Sequence, residues 1–276
     1  MKSGSSFYKD TIGEIVLNYH GKLLSRIRKE SQKIYELDFN PCNSCELGDD
    51  YIVCCDNNNK RLVVFDKSFN FLKAIDRINS QQFVTLGITT NNIDRVFVSD
   101  YQNSKVYSTD FNFRYINSFG GDALGNETNS LSHPYDLFYY NESLYICDCR
   151  NQRIVKVNND LKFEESYNLG YQPWQIKITN SNACVRANNS VLYFYDLPIF
   201  SLRYKYTDHD GPVCVYNSYF YEFSEKHKKI FCFDWNGKLD DSVDLNLGVD
   251  ALHTSYRIAV LDEQFVISAR RKFIVI

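Results

Sequence analysis

The sequence predicts an all-β protein built from repeated four-stranded units. Three observations carry this expectation: a composition rich in strand-forming residues, a polar turn that recurs between apolar runs, and a repeat spacing that suits four short strands. Aromatic residues make up 16% of the 276 residues, with 21 Tyr and 20 Phe. Such side chains fit a pleated, half-buried surface. Hydrophobic residues contribute 44% and charged residues 24%, an ordinary balance that can fill a core. Met1 is the only methionine, so the expected core is aromatic and β-branched.

The repeat is plainest in three stretches. Tyr51–Asp66 (YIVCCDNNNKRLVVFD), Val96–Asp110 (VFVSDYQNSKVYSTD) and Leu144–Asn158 (LYICDCRNQRIVKVN) each run apolar, then D-x-x-N-x-[RK], then alternating. The anchors are Asp56, Asn59 and Arg61; Asp100, Asn103 and Lys105; and Asp148, Asn151 and Arg153. Three weaker copies follow: ACVRANNSVLYFYD with Asn188, YEFSEKHKKIFCFD with Ser224 and Lys229, and FVISARRKFIVI with Ser268. The first anchor position falls at 56, 100, 148, 185, 224 and 268, in steps of 44, 48, 37, 39 and 44. That period suits a propeller blade.

Each unit opens on a strand upstream of its anchor, at Pro134, Pro173 and Pro212, with Phe83–Leu86 and Val249–Leu252 in the same slot. Each closes on a strand such as FLKAI, YINSF or LDDSV. The last copy stops after its third strand. The N-terminal GEIVLNYHGKLLSRI reads as half a repeat, so KLLSRI is expected to complete the last blade, while GEIVLNY competes with KFIVI for the third place. Ring closure of this kind removes exposed sheet edges. The expected architecture is a six-bladed β-propeller over residues 13–276, with residues 1–12 a disordered lead-in or an expression scar.

The D-x-x-N-x-R turns resemble the hallmark of the NHL repeat family, from about Gly13 to the end of the chain. The resemblance implies a six-bladed propeller like that closing the TRIM-NHL ubiquitin ligases and translational repressors. It is specific for architecture and poor for function.

The formal net charge is −3 and the pI about 6.0, so nucleic-acid binding would need a local patch. Met1–Asp10 lacks the apolar core of a secretory signal, and no apolar run approaches the roughly 18 residues of a membrane span. Nine cysteines form no regular disulfide pattern, which points to the reducing cytosol. A cytoplasmic domain, monomeric when isolated and without a membrane partner, is expected.

No catalytic residue, metal or cofactor is predicted. Anchors that recur in every unit serve the scaffold. Cys42 and Cys45 form a lone C-x2-C without a second pair, short of a zinc site. A metal-dependent propeller hydrolase or lyase would place its ligands at the start of the inner strands, here Glu36, Thr85, Asp136, Gln175, Cys214 and Ala251. Of the five histidines only His253 falls on such a strand, which argues against a His-based lyase site.

The expected function is a non-catalytic binding scaffold. The loops before the first strands and the anchor turns share one face, where non-repeated residues carry function. Candidate contacts are Lys60, Tyr101, Tyr135, Arg150, Trp174, Arg186, Lys226, His227, Lys228, Arg270 and Arg271. Exposed aromatic and Arg residues are the composition of a protein-binding hot spot. Cations beside stackable rings equally suit single-stranded RNA. The negative net charge favours a protein or peptide partner, with single-stranded RNA the alternative.

Overall fold

A computed structural model describes residues 33–36, 42–48, 50–121, 128–245, 257–261, 264–269 and 272–275, and among these there are strands and turns but no helix. Among the described residues β1 (Lys33–Glu36) comes first. β2 (Asn43–Leu47), β3 (Tyr51–Asp56), β4 (Arg61–Asp66) and β5 (Phe71–Ile75) form the first blade. β6 (Ile88–Thr90), β7 (Val96–Asp100), β8 (Lys105–Thr109) and β9 (Tyr115–Gly120) form the second. The third comprises β10 (Pro134–Tyr140), β11 (Ser143–Asp148), β12 (Arg153–Asn158) and β13 (Phe163–Asn168). The fourth comprises β14 (Pro173–Thr179), β15 (Asn182–Ala187), β16 (Leu192–Asp196) and β17 (Ser201–Tyr206). The fifth comprises β18 (Val213–Tyr216), β19 (Tyr219–Ser224), β20 (Lys229–Phe233) and β21 (Leu239–Asp244). β22 (Arg257–Leu261), β23 (Gln264–Ala269) and β24 (Lys272–Val275) end the chain.

Where the sequence predicts six blades, the structure shows five four-stranded antiparallel blades of consecutive strands and one composite sheet, ordered β1-β24-β23-β22. The closing strand also differs from the expected KLLSRI, which lies outside the described residues with GEIVLNY. Lys33–Glu36 takes that edge, pairing Lys33 with Val275 and Glu36 with Lys272. Glu36 therefore sits on an outer strand, and Asn43 opens the inner strand where Glu36 was expected.

The second and third strands of each blade are almost wholly buried, whereas outer strands such as β5 and β17 are exposed. Successive blades share one core each. Val98 and Tyr107 pack on Val53 and Val64, Leu137 and Ile146 on Phe97 and Val106, and Ile176 and Tyr193 on Tyr145 and Ile154. Phe220 and Phe233 pack on Phe194, Phe265 on Tyr221, and Val266 on Ile52, which returns to the first blade. Burying one such ring stabilises by roughly 1.5–3 kcal/mol. Cysteines fill tight places in these layers. Burial pushes the thiols of Cys45 and Cys214 up to about 12 and that of Cys149 up to about 11, so they pack as small apolar groups.

The anchor turns bind themselves. Asp56 accepts from Asn59 and Arg61, and Asp148 from Asn151 and Arg153, with Arg153 reaching on to the Ser130 carbonyl. In the second blade Asp100 accepts from Asn103 and from the Tyr107 hydroxyl at 3.3 Å. Lys105, expected as the third anchor, has no carboxylate partner among the described residues; the buried Tyr107 takes its role. The fourth copy also departs from expectation. β15 ends at Ala187, and Ala187 N donates to Val191 O, so the anchor position is Ala187 rather than Val185 and the turn is shorter. The fourth turn residue is left-handed at Lys60, Ser104, Gln152 and Lys228, and in the shortened turn the third is, at Ser190.

The inner strands meet around one carboxylate. Asp136 is fully buried. Its Oδ1 accepts from Asn43 Nδ2 of the first blade at 2.9 Å, and its Oδ2 from Ile176 N and Lys177 Nζ of the fourth at 3.2 and 3.0 Å. Gln175 donates to Val213 O and accepts from Val213 N, tying the fourth blade to the fifth. Below this layer a cavity of about 330 Å³ runs among Ser44, Thr89, Phe138, Lys177 and Val215.

Two expectations for stability follow. Asp136→Ala leaves Lys177 charged in the interior and should cost about 3–5 kcal/mol in chemical denaturation, with Lys177→Met added to it recovering part of the loss. In the second blade Tyr107→Phe should cost about 1–2 kcal/mol and Lys105→Met less than about 0.5 kcal/mol; the reverse order would return the anchor role to Lys105.

Candidate binding surface

The anchor turns and the loops ahead of each inner strand lie on one face, and the non-repeated side chains on it form a continuous arc. Two β-bulges help to build it. The register of β10 on β11 shifts between Pro134 and Leu137, and that of β14 on β15 between Pro173 and Gln175. Tyr135 and Trp174 fall inside these shifts, and a bulge re-aims the side chain it carries. Gly87 leaves room for the first of them: a Cβ there would lie 2.4 Å from the Tyr135 carbonyl.

Tyr101, in the second blade's turn, packs edge-on against His133 at 4.5 Å and against Tyr135 at 5.3 Å. Tyr135 stacks parallel to Trp174 at 6.1 Å, and the Arg186 guanidinium lies 5.6 Å from the Trp174 ring centre. Arg186 Nε donates to His209 Nε2 at 3.0 Å, and His209 Nδ1 donates to Glu222 Oε1 at 2.7 Å. The arc thus crosses from the second blade to the fifth.

Its far end has a structural origin. The fifth blade has Ser224 where the first three blades have the anchor Asp. Glu222, one pleat earlier, supplies the missing carboxylate and accepts from the backbone N of Asp210 and Gly211. Sequence reasoning missed Glu222 and His209 because their partners are distant in the chain; Glu222 in an otherwise apolar strand was the available signal.

The cations expected on this face divide sharply. Lys226 pairs with Asp208 at 2.8 Å, His227 lies 3.1 Å from the same carboxylate, and Arg186 is held by His209. These contacts hold Asp208 below the usual carboxylate range. Lys60, Arg150 and Lys228 have no carboxylate partner among the described residues. Arg270 and Arg271 lie outside the described residues. Of the basic sector expected on the last blades, the described Lys226 and His227 share Asp208, and the rings gather in the second to fourth blades.

Arg150 stands near both His133 and Tyr135. Burial, then the positive field of Arg150, lowers the His133 pKa, so its imidazole is neutral at pH 7. Burial and the adjoining Tyr101 push Tyr135 up to about 12, leaving a neutral phenol. Of the positions weighed as metal ligands, Asp136 holds Lys177, Gln175 holds Val213, and Thr85 Oγ1 bonds within its own loop. Ala251 lies outside the described residues, as does His253.

All-β blades around a central cavity define a β-propeller, and solved structures agree. Virginiamycin B lyase from Staphylococcus aureus superimposes with a TM-score of 0.64 at 8% identity, over 89% of this chain and 98% of that one. The Neurospora crassa Pan2 WD40 domain does so with a TM-score of 0.64 at 9% identity, over 89% and 95%. BamB from Moraxella catarrhalis reaches 0.52 at 7% identity, over 84% and 70%. No protein-family model matches the sequence, and no curated protein matches it either. At these identities the likeness shows the fold alone. The expectation of a non-catalytic protein is corrected by it: lyases are built on this same fold, so a propeller scaffold does not set catalysis aside.

The arc makes an electrostatic prediction. Removing Arg150 with Arg150→Ala should move the His133 midpoint upward, back towards the ordinary value near 6.5. Proton NMR of the imidazole checks this, and an unchanged midpoint would separate Arg150 from His133.

Proposed function

We propose that the protein is a binding scaffold that docks a protein or peptide segment on the face carrying Tyr101, His133, Tyr135, Trp174, Arg150 and Arg186. The observation that supports this best is the contiguity of four rings between two guanidiniums across successive blades. Rings with two rotatable bonds offer large contact area at little entropic cost, and Trp, Tyr and Arg dominate interface energetics. The turns that carry the face are mounted on buried strands. An NHL-type family membership fits this reading through the Asp/Asn/Arg turns at Asp56 and Asp148.

Single-stranded RNA fits less well. Base stacking needs open ring faces, and here Trp174 is engaged by Tyr135 and Arg186, while Tyr101 packs on His133 and Tyr135. Counterion release also needs a row of cations, whereas Lys60, Arg150 and Lys228 belong to three separate blades.

Recovery of partners from a lysate, with and without nuclease and at rising salt, tests the reading. A protein partner should survive nuclease treatment and be lost with Trp174→Ala, by about 2 kcal/mol or more in binding free energy. Loss on nuclease treatment alone would instead assign the face to RNA.

A further inference from the structure

We propose that the segment docked on this face is acidic: an extended peptide with Asp or Glu placed beside an apolar or aromatic residue. The inference rests on the reading of the face as a peptide-docking surface and names its partner's chemistry. It comes from which charges the fold has already used.

Among the described residues, the carboxylates around Tyr101, Tyr135 and Arg150 are consumed, while at the far end Asp210 accepts from Lys226 N and keeps one oxygen without a partner. Asp100 and Asp148 are fully buried inside their turns, where they accept from Asn103 and Tyr107 and from Ser132 N, Asn151 and Arg153. Glu222 is fully buried against His209. Asp208 is taken by Lys226 and His227. The positive groups are consumed unevenly. Arg150 is exposed, one residue from Cys149 and two from Asp148, yet that carboxylate points inward to Arg153. No carboxylate among the described residues lies within ion-pair distance of the Arg150 guanidinium.

Arg150 is therefore a planar, always-charged donor fork beside neutral His133 and Tyr135, which suits bidentate capture of a carboxylate. Lys60 and Lys228 hold the corresponding turn position of the first and fifth blades. Tyr135, which lies in the field of Arg150, stacks parallel to Trp174, and this pair takes the apolar neighbour of that carboxylate. A basic segment would instead meet Arg150 as a like charge, a mismatch that costs affinity and specificity.

Selection of a random peptide library on the full-length protein, with Trp174→Ala protein as the counter-selection and a random single-stranded RNA pool run in parallel, tests this. Enriched peptides should carry Asp or Glu next to an aromatic or aliphatic residue. Their affinity should fall about tenfold or more with Arg150→Glu and weaken as salt rises. Arg150 is on an exposed turn, so this variant should keep the wild-type thermal transition. Enrichment of neutral or basic peptides that still need Trp174 overturns the acidic assignment and leaves peptide docking standing. Enrichment of no peptide over the counter-selection overturns peptide docking itself, and enrichment of the RNA pool alone gives the face to RNA.

Discussion

Asp136 is a carboxylate with no access to water, placed where three blades converge. Removing such a group from solvent costs several kcal/mol unless the interior returns hydrogen bonds and an opposite charge. Asn43, Ile176 N and Lys177 return them from the first and fourth blades. The consequence reaches beyond the tunnel. Tyr135 precedes Asp136 directly, and Trp174 lies two residues before Ile176, so the bonds that hold the carboxylate also fix the bulged ends of β10 and β14. The 6.1 Å parallel stacking of Tyr135 on Trp174 is set from beneath by an interaction that never reaches the surface.

The same economy explains why repeated residues are scaffold and unrepeated ones make the surface. A blade needs its turn between second and third strands tied to the loop ahead of its inner strand, and a carboxylate does this by accepting backbone N–H groups. Asp100 accepts from Val84 N and Asp148 from Ser132 N. The fifth blade meets the same requirement differently, with Glu222 reaching Asp210 N and Gly211 N from one pleat away. That longer route brings in His209, whose second nitrogen holds Arg186. A degenerate repeat thus creates a surface feature: the cation over Trp174 is held by the solution to a missing anchor.

What the sequence revealed follows the distance over which each interaction acts. The anchors at Asp56 and Asp148 are legible because all their partners lie within one turn. Tyr101, Tyr135, Arg150 and Trp174 are legible as sharing a face, since strand order alone places them there. Lys105 misleads because Tyr107, one pleat on, is the better placed donor. The fourth copy misleads because a shortened turn moves the anchor position to Ala187. The closing strand and the Arg186–His209–Glu222 chain depend on segments far apart in sequence, and no local pattern encodes which edge finally pairs with Val275.

Charge shows the same dependence most clearly. The density of cations in the fifth turn is the strongest basic signal along the described chain, yet Lys226 and His227 share Asp208, eighteen residues before Lys226. Arg150 is a single basic residue between a cysteine and an asparagine, and nothing in its neighbourhood stands out. Burial reverses their standing: Asp148, two residues away, is turned inward by Arg153 and Ser132, which leaves Arg150 without its nearest counter-charge. The net charge of −3 counts carboxylates that the fold has sealed inside turns and seams. A partner meets only the remainder, and among the described residues around Tyr135 that remainder is positive.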